Sequence, residues 1–142
     1  MLAGKGKEMI FRVTRHTNQL DVITKFYVNV IGLRVLGGFN GHDNYDGVFL
    51  GKEDLGWHLE FTQSNELPNH TFDEDDALVF YPSTQDEFEA LLLRINDNNI
   101  EIINHKNPYW HQNGIAIRDP EGQIVVISPL RIRKTELQSF AT

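Results

Sequence analysis

Residues 9–33 read MIFRVTRHTNQLDVITKFYVNVIGL, and this stretch is the most informative part of the sequence about the fold. Apolar and polar residues alternate in its first part, which is typical of a β-strand with one buried face. Over residues 19–31 the apolar residues recur at helical spacing instead. Thr17 or Asn18 can cap the start of this helix, and Gly32 lies where a left-handed residue commonly ends one. The stretch therefore predicts a strand followed by an amphipathic helix.

The same order of elements occurs twice along the chain. Loops that contain Asn40-Gly41 and Gly56 separate three strand-like segments after the first helix. In the second half, a capping box at Thr84–Glu87 precedes a helix, and the turn residues 119–122 lie inside a hairpin. The predicted strands are residues 9–17, 33–39, 45–51, 57–63, 77–81, 100–103, 114–118 and 123–128, and the second helix is residues 84–98. We therefore predict an α+β protein of two βαβββ modules, because one such module buries little core alone.

The repeat also predicts the domain organisation. A single domain is expected at residues 9–130, consisting of module one (9–64), a linker (65–74) and module two (75–130), with tails at residues 1–8 and 131–142. The N-terminal tail is basic and contains glycine, but it lacks the apolar core of a signal peptide.

Composition narrows the classes of function. Hydrophobic residues make up 40% of the 142 residues and charged residues 23%, as in ordinary globular proteins. The net charge of -7 disfavours nucleic acids and anionic membranes as partners and favours neutral or cationic small molecules. Because the chain has no cysteine, disulfide scaffolds and thiol catalysis are excluded. The expected location is cytoplasmic.

Four short motifs resemble a known superfamily. Phe26-Tyr27 followed by Ile31-Gly32-Leu33 resembles the end of the first helix in the glyoxalase, bleomycin-resistance and extradiol dioxygenase proteins, the vicinal oxygen chelate superfamily. Residues 119–122 (DPEG) resemble its last hairpin, residues 107–110 (NPYW) resemble a preceding loop, and residues 57–61 fall where its fourth strand carries an acidic ligand. The resemblance implies paired βαβββ modules with mixed curved sheets that form a half-barrel cleft, with the helices outside. It also implies a homodimer, the commonest soluble oligomer.

The resemblance further implies positions for metal ligands. Metal enzymes of the superfamily carry ligands on the first and last strands of each module. Those positions correspond to Arg12, Glu60, Val126 and Asp76, or Asp75 if the register shifts by one residue. A divalent ion needs three or more nitrogen or oxygen ligands, but valine offers none and arginine is a permanent cation that pairs well with a carboxylate. We therefore expect no cofactor, with one divalent ion at a rearranged site as the alternative.

Side chains at alternate positions of two predicted strands are candidate site residues. On a sheet with one solvated face such residues ordinarily meet water. The resemblance instead puts both faces in one ligand-binding cleft. His58 and Glu60 are candidates for an acid–base pair, although a histidine on a strand is more often a structural hydrogen-bonding group. The candidates on the two faces are Arg12, Thr14, His16, His58, Glu60 and Thr62.

Three further residues are candidates for ligand contact. Tyr45 and Trp110 lie near predicted loops, where an aromatic side chain is either core or a cleft wall. Trp110 stands between Tyr109 and His111, and these polar neighbours favour a position in the cleft wall over one in the core. Asp76 ends an acidic run, which is ordinarily a solvated loop.

The sequence leaves three functional hypotheses open. The first is a dimeric, metal-free protein that binds a small organic molecule, similar to the bleomycin-resistance proteins. The second is a metal-dependent lyase, isomerase or dioxygenase that uses His58, Glu60 and Asp76. The third is a structural or regulatory subunit.

Overall fold

The computed structural model describes residues 8–132. The chain divides into two compact units, Met1–Asn69 and His70–Thr142, which contain module one and module two. Except for Glu8, Arg131 and Ile132, the two predicted tails lie outside the described residues. Within residues 8–132 no helix is both long and apolar enough to cross a bilayer.

Module one has the predicted order of strand, helix and three strands. Its elements are β1 (Phe11–Thr17), α1 (Leu20–Phe26) with a π-helical turn (Tyr27–Ile31), β2 (Arg34–His42), β3 (Tyr45–Gly51) and β4 (Trp57–Gln63). The sheet order is β1-β4-β3-β2, in which β1 runs parallel to β4 and the other pairs are antiparallel.

Contacts at both ends fix the position of α1. The hydroxyl of Thr17 accepts a hydrogen bond from Gln19 N at 3.0 Å, just before the helix begins. The side-chain oxygen of Gln63, on β4, accepts from Leu20 N at 2.8 Å, so a neighbouring strand supplies part of the cap. Gly32 ends the helical segment with φ 90°, the left-handed conformation predicted for it.

The core of module one lies between α1 and one face of the sheet. Ile23 and Tyr27 from the helical segment are fully buried, and so is Leu50 from β3. The ring of Tyr27 stacks on that of Phe61 with centroids 5.2 Å apart. Because side chains alternate along a strand, the residues between these core positions point to the opposite face of the sheet.

Module two has a smaller sheet. Its elements are β5 (Leu78–Phe80), α2 (Gln85–Asp97), α3 (Pro108–Asn113), β6 (Ile115–Arg118), β7 (Ile124–Ile127) and a 3-10 turn (Pro129–Arg131). The sheet order is β5-β7-β6, with β5 parallel to β7 and β6 antiparallel to it. The α+β class with two mixed sheets is therefore confirmed.

Two expectations for module two were wrong. Residues 100–103 do not form a strand; Ile103 alone makes an isolated bridge to Ala116, so residues 8–132 contain seven strands instead of eight. Asn99 has φ 55° immediately before this segment, which turns the backbone out of an extended path. The stretch read as a loop contains α3, whose first turn is capped by Asn107 Oδ1 accepting from Tyr109 N at 3.0 Å.

The two predicted turn motifs of module two are formed. Thr84 Oγ1 accepts from Glu87 N at 3.1 Å, and the Glu87 carboxylate accepts from Ser83 N, one residue earlier than in the standard capping box. In the β6–β7 hairpin, Asp119 Oδ1 accepts from two backbone N–H groups, and Gly122 has φ 99°. The hairpin turn thus needs a residue that tolerates the left-handed region.

Candidate functional site

The predicted candidates on β1 and β4 lie on one face of module one, because these strands are parallel neighbours in the sheet. We call this surface the polar face. The register pairs Arg12 with His58, Thr14 with Glu60 and His16 with Thr62. The structure therefore brings together two sets of side chains that lie more than forty residues apart in the sequence.

Arg12 is at the centre of the closest group on the polar face. Its Nε donates a hydrogen bond to His58 Nε2 at 2.8 Å, and its Nη1 lies 3.6 Å from Glu60 Oε1. The guanidinium carbon stands 4.8 Å from the ring centroid of Phe49, a cation–π distance. Phe49 is the register partner of Glu60 on β3. Arg12 and Glu60 therefore form an ion pair.

We call Arg12, His58, Glu60 and Phe49 the Arg12 cluster. Its geometry limits the further hydrogen bonds that each side chain can make. His58 accepts through Nε2, so its ring proton is on Nδ1. The 3.6 Å separation from Glu60 is an ion-pair distance and too long for a hydrogen bond. The side chain of Arg12 is 46% exposed and that of Glu60 only 10%. The guanidinium therefore presents its remaining N–H donors at the surface, above a carboxylate that is nearly buried.

The residues present do not fit a divalent ion. Arg12 lies between His58 and Glu60, so a metal ion there would meet a permanent cation. In module two, Val126 is fully buried in an apolar cluster with Ala116 and Ile124, and it has no donor atom. Within residues 8–132 no group of three or more His, Asp or Glu side chains could hold a metal ion.

Two phenylalanines extend the polar face along β2 and β3. The rings of Phe39 and Phe49 have centroids 5.9 Å apart, and we call them the aromatic pair. Phe39 lies over Gly47, where an added Cβ would be 2.4 Å from the ring. Neither ring was among the predicted site residues. The signal in the sequence was Gly47, because a glycine inside a strand often marks the close approach of another group.

The other module-one candidates lie at the far end of the polar face. His16 Nε2 is 2.9 Å from Ser64 Oγ, and its ring meets Tyr45 edge-on with centroids 6.5 Å apart. Tyr45 is 44% exposed, and Thr14 is exposed beside Glu60. These side chains give the face hydroxyl and imidazole groups on one side of the Arg12 cluster.

Asp76 and Trp110 belong to module two. Asp76 is exposed just before β5, in the acidic run, where Glu74 pairs with Arg118 at 2.8 Å and Asp75 pairs with Lys106 at 3.7 Å. This run is therefore a solvated loop with ion pairs, as its composition indicates. Trp110 is partly buried and packs against the cluster that contains Val126. Trp110 therefore packs against the core of module two, and part of its side chain is exposed.

Comparisons with known proteins agree with this architecture. Residues 11–62 match the YycE-like N-terminal domain, and residues 75–128 match the YycE-like C-terminal domain. The chain is 35% identical over 120 residues to the uncharacterized protein YycE of Bacillus subtilis (strain 168), covering 81% of this chain and 84% of that protein. A crystal structure of a YycE protein from Bacillus subtilis, described as of unknown function and of glyoxalase or fosfomycin-resistance type, has a TM-score of 0.75 and 34% identity, over 84% of this chain and 88% of that one.

More distant solved structures share the fold. The trypanothione-dependent glyoxalase I of Leishmania major has a TM-score of 0.66 at 18% identity, over 95% of this chain and 94% of that chain. TnmS3, an antibiotic-binding protein from Streptomyces sp. CB03234, has a TM-score of 0.62 at 14% identity, over 85% and 94%. The two domain matches and the identity to YycE establish the family, and the distant structures establish the fold. The chain belongs to the YycE-like family, within the vicinal oxygen chelate superfamily.

Proposed function

We propose that module one binds a small organic molecule on its polar face, with Arg12 as the anchor and without a metal ion. The observation that carries the proposal is the position of the guanidinium. It contacts His58, Glu60 and the ring of Phe49, and the side chain of Arg12 remains 46% exposed. A side chain fixed by three neighbours loses little conformational freedom on binding, which favours affinity.

The chemistry of the anchor indicates the chemistry of the ligand. The Nη groups of Arg12 are donors, so the ligand must offer an acceptor such as a carboxylate, phosphonate, carbonyl or hydroxyl oxygen. The net charge of -7 favours cationic ligands at long range. Salt screens that field over about 8 Å, whereas a hydrogen bond to the guanidinium acts at contact. We therefore give the local donor more weight than the overall charge.

The aromatic pair indicates the rest of the ligand. Phe39 and Phe49 are both partly exposed, and they lie on the same side of the sheet as Arg12. Ligand sites combine apolar and aromatic walls with a few oriented polar groups, and this surface has both. We propose that an apolar or aromatic part of the ligand contacts the pair while an oxygen is bound by Arg12.

The relatives support a role in small-molecule binding. TnmS3 is called an antibiotic-binding protein, and the YycE crystal structure is described as that of a protein of unknown function and a candidate glyoxalase or fosfomycin-resistance protein. Catalysis by His58 and Glu60 stays a prediction. Both side chains contact Arg12, so either would have to leave that contact to take part in proton transfer. Cytoplasmic localisation also stays a prediction from the sequence.

Isothermal titration calorimetry on protein treated with EDTA tests this function. We expect fosfomycin or mandelate to bind, because each offers an anionic oxygen group, and mandelate adds an aromatic ring. Arg12→Ala should weaken binding about tenfold or more, the loss expected for a charged hydrogen bond. Arg34→Ala is the matched control, because Arg34 is an exposed arginine of the same module that pairs with Glu53 at 3.8 Å. Binding that requires added manganese, nickel or zinc would instead support the metal-dependent alternative.

We also propose that the protein is a homodimer. Module one exposes several large apolar side chains near one end of its sheet, at or just before the starts of the edge strands β1 and β2 and in the loop before β4. Exposed apolar surface of this extent commonly marks a protein interface. The residues are Met9, Ile10, Phe11, Val35, Leu36 and Leu55. Light scattering should show twice the mass of the 16.4 kDa chain, and Phe11→Glu should shift the protein to monomer.

A further inference from the structure

The polar face of module one has a second polar group at a distance from Arg12. Along β1, His16 follows Arg12 by four residues, on the same side of the sheet. Because a strand rises about 3.3 Å per residue, the Cα atoms of these two residues are roughly 13 Å apart. The ring of Tyr45, on β3, meets His16 edge-on at this end of the face. We call His16 and Tyr45 the distal pair, and the polar face therefore has polar side chains at both ends.

The hydroxyl of Tyr45 retains its capacity for hydrogen bonds. Tyr45 is 44% exposed, and within residues 8–132 its side chain has the edge contact with His16 but no hydrogen bond. The imidazole of His16, by contrast, lies 2.9 Å from Ser64 Oγ through its Nε2. A phenolic hydroxyl can both donate and accept, so it suits an oxygen of a ligand. Tyr45 is therefore the member of the distal pair that can take a ligand group without giving up a hydrogen bond.

Aromatic rings lie between the two ends. On β3, Gly47 stands between Phe49 and Tyr45 and offers no side chain to the polar face. The ring of Phe39, from β2, lies over this glycine, with its centroid 5.9 Å from that of Phe49. Phe49 itself is in contact with the guanidinium of Arg12. A ligand that extends from the Arg12 cluster to the distal pair therefore meets two aromatic rings on its way.

The separation of the two ends indicates the length of the ligand. A single ring with a carboxylate covers only part of a distance of roughly 13 Å, whereas two linked rings cover most of it. We propose that the ligand of module one is an elongated aromatic acid of two rings. Its carboxylate accepts from Arg12, and an oxygen at its far end forms a hydrogen bond with the hydroxyl of Tyr45. This inference rests on the proposed function, to which it adds the class of ligand and a second contact residue.

Isothermal titration calorimetry with three acids tests the length of the site. Benzoate has one ring, biphenyl-4-carboxylate has two, and 4′-hydroxybiphenyl-4-carboxylate, the hydroxylated acid, adds an oxygen at the far end. We expect the affinity of the wild-type protein to rise in that order, by about threefold or more at each step. An aromatic contact and a neutral hydrogen bond each contribute on about this scale.

Tyrosine variants separate the far contact from general effects. Tyr45→Phe keeps the ring beside His16 and removes the hydroxyl, so it should weaken binding of the hydroxylated acid about threefold or more. The same variant should leave the affinity for biphenyl-4-carboxylate unchanged. Tyr109→Phe, at an exposed tyrosine of module two, should change neither affinity. Arg12→Ala should weaken binding of all three acids, because each binds through its carboxylate.

Two results would overturn this inference. One is that the hydroxylated acid binds the wild-type protein no more tightly than biphenyl-4-carboxylate does. The other is that Tyr45→Phe leaves the difference between these two acids as it is in the wild-type protein. In either case, weaker binding of all three acids to Arg12→Ala would still support the proposed function. If none of the three acids binds the wild-type protein, the proposed function fails together with the inference.

Discussion

Arg12 and Glu60 form an ion pair in which one partner is exposed and the other is nearly buried. The guanidinium Nη1 lies 3.6 Å from Glu60 Oε1, with the arginine side chain 46% exposed and the glutamate 10%. The pair occupies positions where the resemblance to metal enzymes implies ligands. A cation is therefore already present beside the carboxylate, and it belongs to the protein.

Removal of Arg12 should destabilise the protein as well as weaken binding. Arg12→Ala leaves Glu60 without its nearby cation and His58 without its donor. Because the arginine is half-exposed, water replaces part of the interaction, and we expect a loss of about 1–2 kcal/mol in the free energy of unfolding. Urea denaturation measures this loss. Arg34→Ala should change the stability by less than about 0.5 kcal/mol, and an equal loss in both variants would contradict a special role for Arg12.

Gly47→Ala should disturb the aromatic pair. An added Cβ would be 2.4 Å from the ring of Phe39, so the ring must move away from the sheet. Mandelate binding should weaken while the fold, followed by circular dichroism, is retained. Gly56→Ala is the control, since the one atom within contact range of its added Cβ is 3.7 Å away. Unchanged mandelate affinity in Gly47→Ala would exclude Phe39 from the ligand site.

Val126→Glu should not create a metal site. Val126 is fully buried in an apolar cluster, so an unpaired carboxylate there should cost about 3 kcal/mol or more in unfolding free energy. Thermal denaturation should show a large drop in Tm that manganese, nickel or zinc does not restore. Val22→Glu, at an exposed helix position, should have little effect. Rescue of Val126→Glu by one of these ions would mean that the position still belongs to a metal site.

The N-terminal cap of α2 should contribute measurably to stability. Thr84→Ala removes the oxygen that accepts from Glu87 N, and a cap of this kind contributes about 1 kcal/mol. Ser83→Ala keeps the backbone N–H that Glu87 binds, so it should cost less. Guanidinium denaturation of the two variants measures the difference. Equal stabilities would show that the cap is replaced by water at little cost.

Local patterns predicted most of the fold. The bounds of β3 and β4 match the predicted residues 45–51 and 57–63, because alternating residues between turn signals define strands well. The segment 100–103 is apolar enough to be read as a strand, but tertiary pairing reaches only Ile103. The six-residue α3 is too short for a helical period, and Asn107-Pro108, a capping residue before proline, was its only local signal.

The candidate site was only partly predictable. The alternation of polar and apolar residues predicted that Arg12 and Glu60 lie on polar faces of their strands, and the resemblance put these two faces in one cleft. The contact with Phe49 depends on the register between β3 and β4, which no local pattern states. The cap that Gln63 gives to α1 is also a contact between distant residues.

Native mass spectrometry of the wild-type protein, mixed with mandelate and with manganese, nickel and zinc ions, tests whether module one binds its ligand without a metal ion, because it records ligand and metal on the same molecules. We predict that mandelate adducts form on chains that carry no metal ion, and that Arg12→Ala removes these adducts. Metal-free binding is contradicted if mandelate appears only on chains that also hold one metal ion, and if Glu60→Gln removes both together.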